Sequence, residues 1–306
     1  MRFCFILEKK YVDKPMPMVV ADQLQQWGHH IDVIQPYSAI TSLTELALAD
    51  YDAYVLKTVS DGPGLTILEA AEAVGIPTIN NSRAIRLIRD KAVAVAFAQA
   101  KGLPVPQTFF VGHPRALKEL SPTMYPVVVK PSNGTAMQDI HLVRTPEEMI
   151  HLKLDNSCFY LAMRYVENAG YDIKLYVTGQ EVHAMTKTSP LHGAAVEQEI
   201  PVTREMLTLA RRVGQVFGLD IYGIDVLETT QGLMLVDIND FPSFYGVPRK
   251  VICIAEYILH AAYRARLERE KRLSRSINAR KTLHRQDAKI IPAEPIILSE
   301  KVKAAH

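Results

Sequence analysis

The chain has 306 residues, 48% of them hydrophobic, a formal net charge of +2 and three cysteines. The length suits two or three packed units. The charge is too small to mark the whole chain as a nucleic-acid binder, and Cys4, Cys158 and Cys253, far apart and without a C-x-x-C pair, argue against a zinc knuckle and a disulfide framework. No apolar run approaches the roughly 20 residues of a membrane span. MRFCFILEKK is too short and wrongly charged for a signal peptide, so a cytoplasmic enzyme or binding protein is expected.

In chain order, RFCFIL, HIDVI and YDAYVLK read as strands and alternate with MPMVVADQLQQWG and LTILEAAEAVG, two helical runs that stop at glycine. That alternation predicts an open α/β sheet over the first ninety or so residues. RAIRLIRDKAVAVAFAQAKG reads as one helix stopped by Gly102, followed by the proline-marked extended segment LPVPQTFF. YPVVVK, DIHLV, FYLAMRYV, IKLYVTG and EVHAMTK follow as strands with little helix between them, which predicts an antiparallel-rich α+β unit. PVTREMLTLARRVGQVFG restores a Thr-capped helix, a hairpin spans 223–240, and VICIAEYILHAAYRARLEREKR ends the compact part. The remainder is basic, without sustained period, and is expected to wrap the surface or stay disordered.

The hairpin GIDVLETTQGLMLVDIND carries acids where a buried sheet favours valine. A three-residue loop, Thr230-Gln231-Gly232, pairs Glu228 with Met234 and Asp225 with Asp237. Side chains directly opposite lie about 4.5 to 5.5 Å apart, where like charges repel. The strand period adds Asn239 to the same face and sets Gly223 opposite it, leaving room above. Two carboxylates and an amide around a gap suit magnesium, which takes oxygen ligands and completes its shell with water and substrate phosphates. The alternative is a register off by one residue, with the acids on a solvated face of an edge hairpin.

Two lysines bear on that choice. Lys130 leaves the strand YPVVVK beside PSNGTA, a loop whose glycine and hydroxyl residues, Gly134 and Thr135 among them, suit phosphate oxygens. Lys91 lies near a helix start in IRDKAVA. Each alone reads more readily as a surface lysine; with the acidic hairpin they form a phosphate-plus-metal set.

The order RDK, VVVKPSNGT, RYVENAGYDIKLYVTG, GIDVL and LVDINDFPSFYGV resembles the ATP-grasp superfamily from about residue 76 to residue 262. The resemblance implies an α/β N-terminal domain over 1–90, an α+β ATP-grasp domain over 91–262 whose subdomains, 91–162 and 163–262, sandwich ATP, and a basic helix end and arm over 263–306. It places Lys91 and Lys130 on the phosphates and Met163, Arg164, Tyr165 and Val166 in a hinge strand along the adenine. Asp225, Asp237 and Asn239 would hold two magnesium ions, for which manganese can substitute, and Lys130, Lys174 and Asp237 form the expected catalytic set. The phosphate loop departs from the family, offering only Gly134 where relatives carry several glycines.

Two branches fit. Inositol-phosphate kinases of this fold phosphorylate a hydroxyl, and RimK-like ligases phosphorylate a carboxylate that an amine then attacks. FILEKKY and VLKTVSDG, with Lys9, Lys10 and Lys57, resemble the kinase branch, and Lys174 and Lys187 add anion contacts. Ser243 stands where both branches commonly have glycine and could face the acceptor. The expectation is therefore a kinase acting on a small anionic polyol such as an inositol phosphate; the alternatives are a carboxylate–amine ligase and a non-catalytic nucleotide-binding regulator. Lys9, Lys10 and Lys57 read equally well as solubilising charge at strand ends. His113, His141, His151, His183 and His192 are not paired at ligand spacing, and Glu268 and Glu270 interrupt the basic run near the C terminus.

Overall fold

The computed structural model describes residues 1–12, 15–58, 62–132, 140–189, 191 and 197–287, so Gly134, Thr135 and His192 lie outside the described residues. The chain divides into two units, Met1–Tyr263 and Arg264–His306. Three sheets lie in the first unit.

The N-terminal sheet is parallel, built from β1 (Arg2–Leu7), β2 (His30–Ile34), β3 (Ala53–Lys57) and β4 (Thr78–Ile79) in the order β2-β1-β3-β4. RFCFIL is buried along almost its whole length, as a parallel strand covered on both faces requires. One face packs on α2 (Pro15–Gln26) and on the start of the last helix through Ile254 and Ile258; the other packs on α3 (Pro63–Ala73) through Leu65 and Leu68. A short helix, α1 (Lys9–Val12), follows β1.

The single helix expected across 83–102 is two, α4 (Ser82–Arg89) and α5 (Lys91–Ala100). Asp90 breaks the run: its backbone is extended and its side chain accepts from the N–H groups of Ala92 and Val93. This is an N-cap inside an apolar period, and it makes Lys91 the first residue of α5.

The second sheet is antiparallel, with β5 (Thr108–Val111), β6 (Val127–Pro131), β7 (His141–Val143) and β8 (Tyr160–Arg164) in the order β5-β8-β6-β7. A helix, α6 (Pro146–His151), interrupts what the sequence read as consecutive strands. The third sheet holds β9 (Asp172–Thr178), β10 (Glu181–Lys187), β11 (Glu199–Ile200), β12 (Ile221–Thr229) and β13 (Gly232–Asp240) in the order β11-β10-β9-β12-β13. The helix α7 (Arg204–Phe217) covers one face, capped by Thr203 and stopped by Gly218 at φ 73°.

The hairpin β12–β13 corrects the predicted register near its turn. The loop has two residues, with Thr229 opposite Gly232 and Leu227, not Glu228, opposite Met234. Further along, Asp225 faces Asp237 and Gly223 faces Asn239, as expected. A β-bulge reconciles the two, because Val226 pairs with Leu235 and Val236 is the extra residue. Core packing demands it: Leu233, Leu235 and Ile238 all enter the α7 core, and the odd step from 235 to 238 cannot be made without one unpaired residue.

The final helix, α8, runs Lys250–Asp287, well past the expected end near residue 272, so part of the expected arm is helical. Among the described residues, no helix is long and apolar enough to cross a membrane.

Candidate active site

A cleft of about 490 Å³ opens between the second and third sheets and reaches the C-terminal end of β3 in the first. Asp225, Asp237 and Asn239 line it together with Lys91, Lys130, Lys174, Lys187, Met163, Arg164, Tyr165, Val166, Lys57 and Ser243. Most residues singled out from sequence therefore converge on one wall or another of a single space. Lys9 does not line it and is exposed at the start of α1, and the side chain of Lys10 lies outside the described residues.

The two acids sit among ammonium groups. Lys174 Nζ lies 2.9 Å from Asp225 Oδ1 and Lys187 Nζ lies 3.6 Å from Asp225 Oδ2. Lys91 Nζ is 3.3 Å from Asp237 Oδ1. A cation in the first turn opposes the helix dipole, so the position of Lys91 serves the cleft and not α5. Lys130, at the end of β6, is buried and donates to the Val236 carbonyl at 3.0 Å, so the extra residue of the bulge supplies the acceptor that holds this lysine.

Burial pushes the Lys130 ammonium below its ordinary range, and Asp237 offsets only part of that effect. Burial also pushes the Asp237 carboxyl upward, but Lys91, Lys130 and Lys174 together outweigh it and hold the group below the ordinary carboxylate range. Asp225 Oδ1 is buried and makes no hydrogen bond; the nearby Lys174 ammonium balances its charge without being aligned on it. Asn239 donates from its amide nitrogen to Asp237 Oδ2 at 3.4 Å, so a cation would take the opposite edge of that amide. Among the described residues no three His, Cys, Asp or Glu side chains cluster as a metal cage. Two opposed carboxylates, one with an oxygen lacking a donor, fit a hard cation that brings phosphate oxygens as its remaining ligands.

The expected hinge, Met163–Val166, lines the cleft. The Arg164 N–H donates to the Gln107 carbonyl at 2.8 Å and the Tyr165 N–H to the Pro126 carbonyl at 2.9 Å, so both are already used. The Arg164 side chain is exposed.

Lys57 lines the cleft, where its ammonium donates to the Phe241 carbonyl and lies 5.0 Å from the centre of the Tyr11 ring. Of the lysines expected at an anionic acceptor, Lys57, Lys174 and Lys187 line the cleft and Lys9 does not. Sequence reasoning also missed Arg89 and Asp240. Their half-buried ion pair, 3.1 Å long, lines the cleft. The signal in the sequence is the motif RDK, whose arginine is Arg89. Phe241 and Phe244 were missed too. Both are buried with positive φ, 37° and 51°, and they anchor the turn that presents Pro242 and Ser243 to the cleft.

Two antiparallel sheets closing on a lysine-lined cleft, with an acidic hairpin on one side, define an ATP-grasp fold. Solved structures agree: a RimK-domain ATP-grasp protein from Sphaerobacter thermophilus superposes with a TM-score of 0.65 at 18% identity, covering 85% of this chain and 100% of that one. The D-alanine–D-alanine ligase of Bacillus anthracis complexed with ATP gives 0.66 at 16%, covering 88% and 99%. The family model of the RimK-like ATP-grasp domain matches residues 88–261, and the chain belongs to that family. Among its relatives is a probable alpha-L-glutamate ligase from Marinomonas sp. (strain MWYL1), 29% identical over 248 residues, 73% of this chain and 82% of that protein. These relatives favour the ligase alternative over the kinase expected from the N-terminal lysines, which they do not support.

Proposed function

We propose that this protein is a magnesium-dependent, ADP-forming carboxylate–amine ligase, with residues 1–90 as an acceptor-side domain and 91–262 as the nucleotide-binding domain. The observation that carries the reading is the convergence of Lys91, Lys130 and Lys174 on the opposed pair Asp225 and Asp237 inside one cleft. Asp225, Asp237 and Asn239 would hold magnesium, which neutralises phosphate charge when bound. Lys91 and Lys130 would hold the nucleotide phosphates, and the hinge Met163–Val166 would flank the base. Lys174 and Lys187 stand on the other side of Asp225, where charge develops as a γ-phosphoryl group moves to an acceptor.

The acceptor carboxylate oxygen attacks the γ-phosphorus and ADP leaves. The amine nitrogen then attacks the acyl carbon, phosphate leaves and the amine loses a proton. The names of the relatives support glutamate as the amine or carboxylate partner.

Coupled measurement of ADP release tests the reading. Turnover with magnesium and ATP should require both a carboxylate and an amine, with glutamate supplied first, and mass spectrometry should find an amide. ADP formation without amine, accompanied by a phosphorylated hydroxyl compound, would restore the kinase reading. Nucleotide binding without turnover across a broad acceptor panel would favour a regulator.

A further inference from the structure

Two consecutive residues at the end of β13 are fastened to two consecutive residues at the end of β3. Asp240 is bound by Arg89, whose guanidinium also donates from Nη1 to Thr58 Oγ1 and from Nη2 to the Thr58 carbonyl, each at 3.1 Å. Phe241 is held through its carbonyl by Lys57. Arg89 itself ends α4, directly before the Asp90 cap that starts α5 and sets Lys91.

The guanidinium is 8% exposed and the Asp240 carboxylate 13%, so the pair is desolvated and makes contacts on both sides. Its Nε and Nη2 address the two Asp240 oxygens at 3.4 and 3.1 Å, a planar fork that a lysine cannot copy. Asn239 precedes Asp240, and Asp237 lies three residues before it. The clamp therefore fixes the stretch of strand that carries two of the three oxygen ligands, and it does so from the N-terminal sheet.

We propose that Arg89 is a positioning residue: through Asp240 and Thr58 it holds Asn239 and Asp237 in the arrangement that receives magnesium-bound nucleotide, and it links that arrangement to the acceptor-side sheet. The proposal rests on the magnesium–nucleotide reading of the cleft. Its test is equilibrium binding of a non-hydrolysable ATP analogue, followed by a fluorescent nucleotide or by thermal shift, across a magnesium titration. It uses the full chain as wild type, Arg89→Lys and Thr58→Val; the valine variant removes one hydroxyl at nearly constant shape if the lysine variant folds poorly.

Loss of a group that orients metal ligands typically weakens metal affinity by about 10- to 100-fold. Arg89→Lys should raise the magnesium concentration for half-maximal nucleotide binding by at least about tenfold, and Thr58→Val by less, while binding of the metal-free analogue stays unchanged. A merely structural Arg89 would lower melting temperature and weaken both forms of the analogue equally; that result, or an unchanged magnesium midpoint in both variants, overturns the proposal alone. If wild type itself binds nucleotide without any magnesium dependence, the metal reading fails and the clamp fails with it.

Discussion

At Lys130 the site is bought with stability. Its lowered proton affinity means that the folded state holds the ammonium less readily than the unfolded chain does, so the burial cost is fully present below the folded pKa. That cost fades as pH rises towards the ordinary lysine value, about 10.4. Lys130→Met should therefore keep or raise the melting temperature near neutral pH while abolishing nucleotide binding, and a fall of many degrees would contradict this account. Asp237 works in the opposite direction. Its carboxylate is held below the ordinary range, so its contribution is complete above the unfolded value, about 3.9, and lost as pH falls through the lower folded one. The stability difference between wild type and Asp237→Asn should be constant from neutral pH down to about 4 and shrink below that, as denaturant titrations at stepped pH would record. The acids were legible because carboxylates in an apolar hairpin are anomalous by composition alone. For Arg89 and Asp240 the RDK motif marked the arginine alone, since its pairing with a residue 151 positions away leaves no local pattern.

On the scale of elements, the bulge in β13 decides which side chains face the cleft. Hydrophobic spacing in GLMLVDIND already contained it: Leu233 and Leu235 keep the strand period and Ile238 breaks it, and a three-residue turn absorbed the discrepancy only by misplacing it. The turn itself has two residues, and the extra one lies where Lys130 needs a carbonyl. Deleting Val236 should consequently preserve the fold, because Leu233, Leu235 and Ile238 then alternate regularly, while removing the acceptor that seats Lys130. Circular dichroism should remain native-like and nucleotide affinity should fall by at least about tenfold; wild-type affinity in the deletion variant would show that the bulge has no part in the site. The break between α4 and α5 was equally readable in principle, but the apolar period runs through Asp90 and outweighed its capping chemistry.

For the whole molecule, the order of elements gave the fold class: parallel α/β first, then antiparallel sheets with a covering helix. What composition could not give was where charge accumulates. A chain of net charge +2 sets seven Lys or Arg and four Asp around one cleft, counted among the described residues. Every one of those groups lies in Met1–Tyr263, and the family match ends at residue 261. A chain ending at Tyr263 should keep magnesium-dependent nucleotide binding within about threefold of the full chain. A larger loss on calorimetric titration would give the basic C-terminal unit a role at the site.

The lysine–aspartate pairs of the cleft carry a further consequence. A metal arriving at a carboxylate that already has an ammonium partner would weaken that ion pair, and a phosphate arriving with the metal would give the ammonium a new counter-ion. If the cleft takes both, as proposed, metal and phosphate would exchange partners with these pairs, and cooperativity between them would follow from the resting wiring of the protein.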